Sequence, residues 1–86
     1  MPRVSSFYGV EITMYYREHG RAHFHASYGE HVASIAIADL EVLAGSLPKR
    51  AMYLVLEWAR IHGDELSHNW RLARSDQPIR PIDPLP

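Results

Sequence analysis

Four of the six histidines in this chain fall within the stretch EHGRAHFHASYGEH, residues 18–31. Imidazole can hold a metal ion or move a proton near neutral pH, so this concentration raises two chemistries at once. His23 and His25 are separated by one residue, which on a strand places both rings on one face with Cα atoms roughly 6–7 Å apart. Two imidazoles so placed can converge on one ion. A turn would carry His19 to the head of a hairpin and His31 follows a second turn, so spacing alone fixes neither. Glu18, Glu30 and Glu11 could add a carboxylate, and two or three imidazoles with one carboxylate would suit zinc, iron, nickel or copper.

A metal-free reading needs fewer parts. Two neighbouring histidines, one neutral and one protonated, can act as base and acid in phosphodiester cleavage, with Arg17 or Arg21 stabilising charge on the phosphate. The plainest reading needs none, because His and Ser are well tolerated on the solvent face of a strand. The residues themselves leave all three open.

The surrounding pattern predicts the elements that would position them. Val10, Ile12, Met14 and Tyr16 alternate with polar or exposed-type neighbours, the period-2 signature of a strand over about 9–17. Glu18-His19-Gly20-Arg21 is a turn, and the second strand, about 22–28, directs Phe24, Ala26 and Tyr28 to the core and His23, His25 and Ser27 to the other face. After Gly29-Glu30, a third strand runs from His31 to Ala38. Residues 40–44 read as a short fourth strand or a single helical turn. Ser46-Leu47-Pro48 marks a helix start, with the cap at Ser46 or Leu47 and Pro48 in the first turn. The following apolar residues, Trp58 among them, nearly encircle the helix, so its first half should be buried or in a subunit contact. Gly63-Asp64 either weakens one long helix or lets Asp64 cap a second one at a bend. The Pro-rich end should be an extended arm whose Ile79, Ile82 and Leu85 pack on the body or on a partner.

Composition narrows the classes. Eighty-six residues, 47% hydrophobic and 22% charged, suffice for one small ordered domain. The net charge of −1 supplies no overall field for nucleic acid, and the lack of cysteine excludes a disulfide or thiolate metal site. The start MPRVSSFYG lacks the pattern of a secretory signal and no apolar run approaches membrane-spanning length, so a cytoplasmic protein is expected. Trp58 and Trp70 read as core or interface residues, each needing an indole N–H partner if buried. Tyr15, Tyr16, Phe7 and Tyr8 could stack on bases but more simply pack within the sheet.

The run FYGVEITMYYREHGRAHFHASYGEHVASIAI, followed by LEVLAGSLPKRAMYLVLEWARIHGDELSHNW, resembles a widespread family of small prokaryotic proteins classed as a domain of unknown function. The most specific part is an acidic-His-x3-His-x-His segment, matched by Glu18, His19, His23 and His25. Proline is usual between the first two histidines of that family; Gly20-Arg21-Ala22 stands here. The resemblance implies a component of a two-gene, toxin–antitoxin-like module with a cognate small protein partner, and brings no activity with it.

The resulting expectation is a single α+β domain over 1–86. A three- or four-stranded antiparallel meander (strand-rich 1–45) packs against a C-terminal helix or bent helix pair (47–75), with an extended tail (76–86), and the whole forms a homodimer. An interaction role stands beside two alternatives. One is a histidine-dependent phosphodiesterase or ribonuclease with His23, His25 and His19 as catalytic candidates and Arg17 and Arg21 toward RNA. The other is a protein that binds zinc or manganese through Glu18, His19, His23 and His25.

Overall fold

A computed structural model of the chain describes residues 2–86. Strands β1 (Arg3–Phe7), β2 (Val10–Thr13), β3 (His23–Tyr28), β4 (His31–Ala36) and β5 (Val42–Gly45) form one antiparallel meander in chain order, followed by α1 (Lys49–Ile61) and α2 (Gly63–Arg74). This is the expected α+β meander with C-terminal helices, with five strands where three or four were anticipated. Among the described residues, no helix is long and apolar enough to cross a membrane.

The added strand is β1. Tyr8 and Gly9 both have positive φ, 49° and 84°, so a two-residue loop of type I′ character joins Phe7 to Val10. The pairing is irregular between Arg3 and Ser5, and it buries Val4 and Ser5 in succession instead of alternately. The Ser5 hydroxyl is left buried without a hydrogen-bond partner. β2 stops at Thr13, short of the expected 17. Beyond it the chain leaves the sheet, and Arg17 takes a left-handed φ of 60° that a continuing strand cannot contain.

β3 alternates as its sequence requires. Phe24 and Ala26 are fully buried, while His23, His25 and Ser27 are half-buried on the other face; Tyr28, at the strand end, is exposed. Gly29-Glu30 closes the β3–β4 hairpin with Tyr28 opposite His31, and positive φ falls on Gly29 within that pair. The ambiguous ADLEVL resolves into a turn, with Leu40 left-handed, and then β5. Gly45 at φ 73° lets β5 approach β4: a Cβ there would lie 2.1 Å from the Val32 carbonyl oxygen.

The helix region takes the two-helix alternative. α1 begins after Pro48, which is its N-cap with no side-chain bond, and neither Ser46 nor Leu47 caps it. His62, not Asp64, is the N-cap residue of α2; Asp64 and Glu65 occupy the first turn, where the positive end of the helix dipole favours acids. The core between sheet and helices centres on Trp58, fully buried, with ring centroids 5.6 Å from Phe7 and 6.0 Å from Phe24. The tail packs on this body: Ile82 is buried, and Ile79 and Leu85 are partly buried against the same core.

Candidate metal centre

The period of β3 puts the His23 and His25 rings side by side, centroids 5.1 Å apart and edge to face. The loop over residues 14–22 then brings Glu18 onto them. Glu18 Oε1 lies 2.9 Å from His25 Nε2 and 3.5 Å from His23 Nε2. One donor atom from each of the three residues falls within a common sphere of contact, all mutual separations at or below 4.8 Å. A tetrahedral ion with bonds of about 2.0–2.1 Å has neighbouring ligand atoms about 3.3 Å apart. The two Glu18 distances bracket that edge.

The other ring nitrogens are held from behind. His23 Nδ1 is 2.7 Å from the Arg21 carbonyl oxygen, which can only accept, so Nδ1 carries the proton. In the neutral ring, Nε2 is then a bare lone pair turned toward a carboxylate. Two acceptors facing one another call for a cation between them, either a proton on Nε2 or a metal ion. His25 Nδ1 is 3.2 Å from Ser34 Oγ. That hydroxyl can donate to Nδ1 while Nε2–H donates to Glu18, or accept from Nδ1–H while Nε2 binds a metal. Both states of His25 are therefore supported.

The surroundings are partly dry. The His23 side chain retains 12% of its exposure, His25 22% and Glu18 32%. Trp70 of α2 lies 5.2 Å from the His23 ring, and Tyr15 stands edge-on to His25 at 4.8 Å. The hydrogen bond from His25 is the main reason that the Glu18 carboxyl is held below its ordinary value of 4.5, aided by the charge of both imidazoles against the opposing cost of burial. A carboxyl with a lower pKa in the folded than in the unfolded state stabilises the fold above its ordinary pKa and loses that contribution as pH falls through the folded value. Asp39 is lowered in the same direction, first by the hydrogen bond it accepts from Glu41 N–H and then by Arg21, and Asp76 by Arg17, but both are exposed and count for less. Urea unfolding of metal-free protein should therefore show stability declining below about pH 4.5, with Glu18→Gln flattening part of the decline. An identical acid limb in that variant would show that Glu18 contributes nothing to it.

The remaining sequence candidates lie elsewhere. His19, the residue after Glu18, is exposed and is not part of the converging set. His31 sits at the far end of the β3–β4 hairpin. The Arg17 side chain bonds Asp76 through two nitrogens, and Arg21 pairs with Asp39 and Glu41, so each guanidinium proposed for phosphate already meets carboxylate. Arg21 serves the site through its backbone carbonyl instead. Ser34 was not singled out from the sequence, and Tyr15 and Trp70, read there as packing residues, were not placed beside the histidines. For Ser34 a signal existed: a hairpin closing at 29–30 pairs residues whose numbers sum to 59, which sets Ser34 opposite His25.

A family model described as Domain of unknown function (DUF4160) matches residues 9–71. The chain belongs to that family. The match agrees with the resemblance in the sequence, and the DUF4160 segment runs from the start of β2 into the last turns of α2, enclosing Glu18, His23, His25, Ser34 and Trp70. β1 and the tail lie outside it. No curated protein and no solved structure matches the chain.

Proposed function

We propose that this DUF4160 protein binds a divalent metal of the zinc class through Glu18, His23 and His25, leaving coordination positions open to water or substrate. The carrying observation is the His23 ring, whose Nδ1 is committed to a carbonyl while Nε2 faces a carboxylate. Three protein ligands with an open position is the pattern of catalytic zinc sites, where the ion lowers the pKa of bound water. Elemental analysis and calorimetric titration of protein purified without a histidine tag test the proposal. One equivalent of zinc or manganese per chain is expected. Absence of binding across both metals would leave an ion-paired Glu–His cluster. RNA cleavage that persists in chelator and needs His23 and His25 would favour metal-free acid–base chemistry instead.

A second reading, an interaction role in a two-gene module, has β5 in its favour. This edge strand carries no charge or proline, and Val42 and Leu43 are 41% and 39% exposed. β5 is short and its pairing with β4 is irregular, but the backbone groups of such an edge can recruit another strand where no charge or proline opposes it. The occupant proposed is a strand of the cognate partner, added beside β5. Co-expression with the neighbouring gene product should give a complex that Leu43→Lys weakens; a complex indifferent to that change, or a homodimer alone, would count against it.

A further inference from the structure

The loop that delivers Glu18 is fastened by the tail. β2 ends at Thr13 and β3 begins at His23, so the intervening chain depends on other anchors. Two of them immediately precede Glu18. Tyr16 Oη accepts a hydrogen bond from Ile79 N–H at 3.1 Å, and Arg17 grips Asp76 with Nε to Oδ1 at 2.9 Å and a terminal nitrogen to Oδ2 at 3.1 Å. Arg17 and Asp76 both hold left-handed backbone, φ 60° and 56°. For residues other than glycine that conformation is uncommon and needs support from its surroundings. The reversal at Arg17 sends its side chain to Asp76 while the next residue, Glu18, reaches His25.

The tail is itself rigidly held. The Asn69 side chain both donates to the Arg80 carbonyl at 2.8 Å and accepts from Arg80 N–H at 3.0 Å, so that the amide pairs with the tail as a neighbouring strand would. Ile82 N–H donates to the Val4 carbonyl of β1 at 2.7 Å, Trp58 Nε1–H to the Asp83 carbonyl at 2.8 Å, and Tyr8 Oη bonds the Pro86 carbonyl. The residue beside Asn69 is Trp70, which lies against His23. Tail, α2 and ligand loop thus form one connected frame around the three donor atoms.

The geometry points to the segment after α2 as the positioning element of the metal site, with the Arg17–Asp76 clasp setting Glu18 against the two imidazoles. Arg17 and Asp76 are positioning residues and touch no ion. This inference rests on the metal reading above. The ligands and Arg17 lie within the DUF4160 match, whereas Asp76 and the rest of the tail, the splint of the site, lie beyond it.

Asp76→Asn tests it. Exposed ion pairs add little to global stability, so the urea midpoint of metal-free protein should barely move. Zinc affinity should fall by about 3–5-fold, less than for a group bonded directly to a ligand, because the exposed pair orders the residue beside Glu18 and touches no ligand itself. The exchanged pair, Arg17→Asp with Asp76→Arg, should recover most of the loss, which a general loosening of the surface would not allow. In metal-free protein the His25 ring nitrogen shifts, which report its bond to Glu18, should also move in Asp76→Asn and return in the exchanged pair. Unchanged ring shifts with unchanged zinc affinity would overturn the inference while leaving the metal site intact. Ring shifts that move in a protein whose wild type binds no metal would retain the clasp as the determinant of Glu18 placement and refute only the metal reading.

Discussion

His25→Ala should lower zinc affinity by more than 100-fold, and His23→Ala should do the same. Groups that merely orient a ligand are typically worth about 10–100-fold, and losing a ligand removes the bond itself. Glu18→Gln should fall in the same class, because it removes the single negative charge that offsets the ion, while keeping the side-chain shape. Ser34→Ala should be milder, about 10-fold, since it removes the partner of His25 Nδ1 at 3.2 Å but no metal bond. His19→Ala is the discriminating control. The motif resemblance groups His19 with Glu18, His23 and His25, whereas the structure places it on an exposed loop outside the converging donors. Calorimetric titration of the five variants should therefore rank His23, His25 and Glu18 together, Ser34 next, and His19 near the unaltered protein. A His19 loss equal to that of His25 would instead support four-residue coordination, and equal affinity in all variants would remove the site.

The ranking shows which parts of this centre a sequence can carry. Strand periodicity already aligns His23 with His25, because both faces of a strand are set by parity and nothing distant can alter it. Glu18 is different. Its approach depends on the left-handed Arg17 and on Asp76, which lies 59 positions beyond Arg17, and no local pattern encodes that clasp. The same physics hid Arg17 and Arg21 as anion-paired residues, since their partners come from the tail and from the β4–β5 turn. β1 escaped for a local reason. Its pairing irregularity buries two successive residues and breaks the alternation that would have announced it, and its loop is Tyr-Gly, not the Asn-Gly or Asp-Gly that signals a tight hairpin. By contrast the α+β order, the Phe24 and Ala26 core face and the interruption near Gly63 follow from patterns a few residues long.

Trp58→Ala should cost about 3–5 kcal/mol, the usual range for emptying a large aromatic site in a core. At 0.05–0.15 kcal/mol per residue, a chain of this length has roughly 4–13 kcal/mol in all, so the variant should be close to unfolding at 37 °C. Its position explains the size of the effect. Trp58 is fully buried, lies against Phe7 of β1 and Phe24 of β3, and passes its indole N–H to the Asp83 carbonyl of the tail. One side chain therefore joins the sheet strand missed by sequence reasoning, the strand bearing both histidines, and the splint. Trp58→Phe separates these contributions. It keeps much of the apolar contact but removes the donor to Asp83, an exposed residue whose carbonyl can turn to water, so a loss nearer 1–2 kcal/mol is expected. Urea denaturation measures both. If the phenylalanine variant also loses zinc affinity at a stability where the fold remains complete, the tail bond at Asp83 and the Arg17–Asp76 clasp belong to one mechanical unit; if affinity is unaltered, the clasp holds Glu18 without help from the core.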